Sequence, residues 1–279
     1  MLKLVTPGRT IFALGIIALG ILQFFAKDFV VARPPLPQWA ANIPGKIIWA
    51  YISGLILIFA GLAIALRIKA KGAALFVGIF ILIFSFFLGH LPDMIGLDLE
   101  GILWSINAYK SFVFFGGALI VAASLSRKND LPLLGTLSNQ RLITIGIVCL
   151  SFFLIVCGAA HFKFHQFVPM LIPDYIPEHV FWTYFAGVAL MAGGVGLIFK
   201  QTRRWSAALS GLMIFLWFVL LHLPRAFATP NVYDEWMGVC ESLTFSGILF
   251  LLAGLDSNKK VFHKNDNAVV MTTNSMLVE

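Results

Sequence analysis

Residues Gly158 to Gly187 read GAAHFKFHQFVPMLIPDYIPEHVFWTYFAG, an apolar stretch that stops at a His-rich end and resumes after prolines. Pro169, Pro173 and Pro177 each lack an amide donor and resist continuous helix. The spacing predicts an apolar helix, a kinked amphipathic connector and a second apolar helix. His161 and His165 are four apart, so on a helix they share a face.

Outward from this stretch the chain keeps the same character. It is 59% hydrophobic and only 12% charged, whereas roughly a quarter of residues are charged in a soluble domain. Apolar runs cover Thr10 to Ala26, Ile47 to Leu66, Gly72 to Gly89, Trp104 to Leu125, Leu142 to Ala160, Val180 to Phe199, Trp205 to Leu221 and Met237 to Leu255. Each is near the ~20 residues that cross a hydrocarbon core of about 30 Å. The fold class read from this is an all-α integral membrane protein with eight transmembrane helices, its first partner the lipid bilayer.

In a soluble protein the net charge of +7 would point to nucleic acid; here it is a sidedness signal, and no nucleic-acid partner is expected. Lys3, Arg9, Arg67, Lys69, Lys71, Arg127, Lys128, Arg141, Lys200, Arg203, Arg204, Lys259, Lys260 and Lys264 all fall on one side if the chain crosses eight times. The opposite loops carry Asp28, Asp93, Asp98, Glu100, Asp174, Glu178, Asp234 and Glu235 with few basic residues. The expected localisation is therefore the cell membrane, multi-pass, with both termini cytoplasmic. A signal-peptide reading of the first run is disfavoured, because no small-x-small cleavage site follows it before Lys27. Cys149, Cys157 and Cys240 all sit in spans without a CxxC pair, so they read as small apolar residues.

The chain also repeats itself. Trp49-Ala-Tyr51-Ile-Ser-Gly54 is echoed by Trp182-Thr-Tyr184-Phe-Ala-Gly187, Gly61 by Gly194, His90-Leu91-Pro92 by His222-Leu223-Pro224, and Trp104 by Trp236. Upstream, Gly20-Ile-Leu-Gln23-Phe24 matches Gly158-Ala-Ala-His161-Phe162, and Arg9 and Arg141 open the two copies. An even number of spans per copy gives both the same orientation, so two parallel four-helix repeats are expected, related by an axis along the membrane normal. They cover residues 1–128 and 141–255, with a linker at 129–140 and a flexible cytoplasmic tail at 256–279. Trp39, Trp49, Trp104, Trp182 and Trp236, with Tyr51, Tyr175, Tyr184 and Tyr233, fall at the outer level as an aromatic belt.

These residues resemble the DoxX family of small four-span membrane proteins and its relatives, such as the small subunit of thiosulfate:quinone oxidoreductase. The second copy carries the likeness, through Arg141, Gly158-Ala-Ala-His161-Phe162, Leu171-Ile-Pro173-Asp-Tyr-Ile-Pro177, Phe181-Trp182, Gly187 and Thr202-Arg203-Arg204. The first copy is more degenerate, with Gln23 where His161 stands. What the resemblance implies ranges from quinone-linked sulfur oxidation to accessory roles beside membrane or redox partner subunits, and no catalytic residue is carried over from it.

Ionisable residues inside spans cost roughly 2.5 to 3.5 kcal/mol each on insertion scales, which makes them candidates. Lys110 lies six past Trp104 and Glu241 five past Trp236, so each sits about 8 to 9 Å below the outer belt. Lys110 has a stem long enough to snorkel outward, and Asn107 shares its face. His90 and His222 are expected to end the third span of each copy and to cap carbonyls freed by Pro92 and Pro224. Arg225 replaces Asp93 of the first copy and makes the second copy's outer mouth the more basic, fit to receive an anion. His161 with His165 has chelating spacing, and His161 with His222 has the makings of a haem pair. With no HExxH, CxxC or third ligand, the sequence argues against haem or metal. The ligand-binding candidates are thus His161, His165, His222, Arg225, Glu241, Trp236 and Trp182, with His90, Trp104, Asn107 and Lys110 as first-copy counterparts and polar span residues.

Two functions remain open at this point. One is a redox-associated subunit offering a lipophilic molecule such as quinone a cavity near the outer leaflet, lined by His161, His222 and Glu241. The other is a non-catalytic membrane scaffold or assembly factor whose polar residues only lock helices together. Transport is disfavoured, because transporter sites tend to lie at the midplane between broken helices.

Overall fold

The computed structural model describes residues 4–29, 43–125 and 138–275, with side chains to Leu255. Eight of the described helices are long and apolar enough to cross a membrane: α1 Val5–Ala26, α2 Lys46–Ala65, α3 Ala70–Met94, α4 Ile106–Ser124, α5 Asn139–Lys163, α6 His179–Ile198, α7 Arg203–Ala228 and α8, whose spanning part is Tyr233–Leu255. Each covers one of the eight apolar runs to within two residues at either end. Most of the 129–140 linker, with Trp39 and Arg33 of the first connector, lies outside the described residues. Helix α8 continues to Ser275, so its backbone stays regular where the sequence pattern predicts an aperiodic tail.

Each helix packs on the next in chain order, α8 closes on α1, and α4 and α8 also touch across the middle. Burial follows from that arrangement. In the spanning windows of α4 and α8, 67% and 83% of residues are buried, against 22% for α7 at the periphery. The rim helices turn large apolar side chains outward, Phe59, Phe76, Phe84, Val188 and Leu209 among them, which is the surface a bilayer would cover.

Small residues let the backbones approach. A Cβ on Gly20 would lie 2.5 Å from the Gly54 carbonyl oxygen, and one on Gly158 would lie 2.7 Å from that of Gly187. Gly61 meets the Ala13 carbonyl and Gly194 the Ser151 carbonyl in the same way. In a medium where burial of apolar surface does not drive helix pairing, such close contact supplies the van der Waals attraction instead.

The third helix of each half departs from expectation. His90 and His222 do not end helices; both lie inside continuous helical runs, in π-helical turns at Leu82–His90 and Phe218–His222 that pass directly into Leu91–Met94 and Leu223–Ala228. A widened turn tolerates the missing proline donor, so the helix continues where the sequence rule stops it. Pro224 still orphans the Leu220 carbonyl, four residues back, and the Tyr175 hydroxyl donates to that carbonyl. The prolines of the 164–178 connector are thereby tied down, with Arg225 Nη1 donating to the Leu171 carbonyl at 2.9 Å as a second tether.

Candidate functional site

The polar residues of the spans converge on the α4–α8 contact. Lys110 Nζ donates to Glu241 Oε2 at 2.7 Å, with side chains 16% and 6% exposed. Lys110 therefore turns inward instead of snorkelling, and the carboxylate that the sequence pattern assigns to a second-copy cavity is held by a first-copy lysine. One turn below, the rings of Phe114 and Phe245 meet edge to face at 5.1 Å. A further turn down, Gly117 faces the Ile248 side chain.

Two more helices bring groups to this pair. His90, on α3, is 8% exposed, lies within electrostatic reach of both Lys110 and Glu241, and has a buried Nε2 with no hydrogen-bond partner among the described residues. Cys157, on α5, lies within reach of the same two charges. One turn further along α5, His161 donates its Nδ1–H to the Cys157 carbonyl at 2.8 Å, and its ring lies 6.3 Å from that of Trp217 on α7. A buried Ser85–Ser111 hydroxyl pair at 2.8 Å joins α3 to α4 nearby.

The other sequence candidates separate from this cluster. His165 is exposed and pairs through Nδ1 with the Phe162 carbonyl at 3.1 Å. Because α5 ends at Lys163, the helical face that would align His165 with His161 does not extend far enough for chelation. Among the described residues no group of three or more His, Cys, Asp and Glu is placed to hold a metal ion. Arg225 is not a free anion receptor, since its guanidinium is paired with the Glu235 carboxylate and the Leu171 carbonyl. Trp236 donates Nε1–H to the Pro230 carbonyl at 3.1 Å, and Trp182 packs edge-on to Phe181. Trp104 packs on Phe164, Asn107 is half-buried, and His222 sits in its π-turn on α7.

Sequence reading recognised Lys110, Glu241, His90 and His161 as candidates, missed Cys157, Ser85, Ser111 and Trp217, and paired the four differently. The signal for the true pairing was present, in that Lys110 and Glu241 stand at almost the same depth below their tryptophans. A family model described as a domain of unknown function, DUF8561, matches residues 150–230. That stretch holds His161, His165, Trp182, His222 and Arg225 and stops short of Glu241. No curated protein and no solved structure matches the chain.

Proposed function

We propose that the chain is a DoxX-like membrane protein whose central cluster handles protons for a lipophilic redox molecule, a quinone head group being the chemistry that fits best. The observation that carries this is the buried, unpartnered Nε2 of His90 beside the Lys110–Glu241 pair. Leaving such an atom unsatisfied costs about 1 to 3 kcal/mol, and a ligand oxygen at that position would recover it. Quinone reduction, with two electrons supplied by a redox partner subunit, takes up two protons at the carbonyl oxygens. A protonated imidazole at His90 is suited to deliver one, and the Lys110 ammonium held by Glu241 is the nearby proton-bearing group.

In the same proposal residues 1–128 and 141–255 are parallel repeats related by an axis along the helices. Support comes from the α4–α8 contact, where Lys110 meets Glu241, Phe114 meets Phe245 and Gly117 meets Ile248, each pair 131 residues apart and so one residue off the His90–His222 and Trp104–Trp236 register. Near-counterpart positions meeting along two helices are what a two-fold contact between similar halves produces.

The scaffold reading is favoured by a different observation, the closed geometry of the ion pair, which suits a lock as well as a relay. Organic extraction of the purified protein separates the two. Near-stoichiometric quinone in the wild type and its loss in His90→Phe, with unchanged helix content and melting, is the expected result; a quinone-free wild type sinks the redox reading and leaves the scaffold.

Orientation is proposed from the basic asymmetry: the Arg67–Lys71 turn is cytoplasmic and Asp174 is outside. In a background lacking Cys149, Cys157 and Cys240, a membrane-impermeant thiol reagent added to cells should label Asp174→Cys and spare Lys69→Cys. The reverse pattern would invert the topology.

A further inference from the structure

Between α2 and α3 the first half leaves an open apolar groove of about 680 Å³. Ile56, Phe59, Ala60 and Ala63 of α2 form one wall, Gly72 and Phe76 of α3 the other, and Lys69 closes one end. The groove extends along α2 from Ile52 to Ala63. Eleven residues at ~1.5 Å each make about 16 Å, close to half of a ~30 Å hydrocarbon core and thus to the depth of one leaflet.

The second half is built differently at the same place. The positions 133 residues beyond Ala60 and Ala63 are Gly193 and Gly196, and the hydroxyls of Ser210 and Ser206 sit against them. In the first half Gly72 has nothing within 4 Å of where its side chain would be. The gap is thus a property of one half rather than of the fold.

Charge is concentrated at the closed end. Lys69 is exposed and its ammonium makes no ion pair or hydrogen bond among the described residues, with Arg67 in the same short turn and Lys71 at the start of α3 on either side of it. An apolar channel one leaflet deep that ends on an unpaired ammonium matches one kind of molecule, an amphiphile with an anionic head.

We infer that this groove is a binding site for one anionic phospholipid, its acyl chain lying between α2 and α3 and its phosphate on Lys69. Apolar contact along the channel supplies retention, and the ammonium supplies the preference for an anionic head group near the membrane surface. The inference rests on the reading that these helices span a bilayer.

The test uses the full chain, purified from membranes and titrated with phosphatidylglycerol or phosphatidylcholine of identical acyl chains, with adducts read by native mass spectrometry. One phosphatidylglycerol per chain should survive at energies that strip phosphatidylcholine. Gly72→Leu places a side chain in the channel from a position whose Cβ would meet nothing within 4 Å, so it should fold and melt like the wild type. It should lose about tenfold in adduct retention, the equivalent of displacing two buried methylenes. Lys69→Gln should keep a lipid adduct and lose the preference for phosphatidylglycerol.

Equal retention of the two lipids by the wild type overturns the proposal, as does unchanged retention in Gly72→Leu. A wild type that yields no adduct and migrates as a dimer assigns the groove to a second copy of the chain. Carbonate extraction of the protein from membranes is the separate control: a chain released by carbonate fails at the spanning reading itself, and the lipid site falls with it.

Discussion

Glu241→Met is expected to destabilise the protein by about 3 to 5 kcal/mol, because it leaves the Lys110 ammonium buried with its carboxylate gone. Lys110→Met should cost a similar amount by stranding the carboxylate. The double change Lys110→Met with Glu241→Met removes both charges and should return most of the loss, since a buried pair often contributes little over apolar residues of similar volume. The magnitudes decide the interpretation: ordinary interhelical polar contacts are worth only roughly 0.6 to 2 kcal/mol, so a larger single-mutant loss with recovery in the double mutant identifies a stranded charge. Unfolding midpoints in lipid-detergent mixtures measure this. Losses that simply add in the double mutant would mean that the two residues act independently.

The second large effect is expected at Gly247→Leu. A Cβ there would stand 2.7 Å from the Phe12 amide nitrogen and 2.9 Å from the Gly8 carbonyl oxygen. Overpacking usually costs about 1 to 3 kcal/mol when side chains can yield. Here the obstacles are backbone atoms of α1, so the cost should reach about 3 kcal/mol or more and separate α8 from α1. Gly72→Leu, at a position with open space, provides the size-matched control. Dispersity by gel filtration after heating reads the outcome. A Gly247→Leu protein as heat-resistant as the control would show that the α1–α8 approach is not what holds the ring closed.

The long helices were legible because the length and composition that would cross a hydrocarbon core stand out in sequence, and each of the eight overlaps nearly the whole of the apolar run that announced it. Helix ends were less legible. The rule that proline terminates helices misplaced His90 and His222, since π-turns absorb the lost donor. The histidine pair at 161 and 165 misled for the opposite reason: spacing describes a shared face only while the helix lasts, and α5 ends between them. The central pairing was hidden by treating the halves one at a time. Lys110 and Glu241 each look like an isolated anomaly in a span, and only the contact of α4 with α8 turns two anomalies into one neutral pair. His90 shows the limit of sequence in another way, because nothing in HLP tells that its Nε2 is buried without a partner.

The pair at the centre also bears on how far the chain can be divided. Lys110 on α4 and Glu241 on α8 stand 131 residues apart and neutralise each other. A piece ending after α4, or one beginning at α5, would bury a charge with nothing to balance it. Neither piece is therefore expected to stand alone: the eight helices form a single indivisible unit.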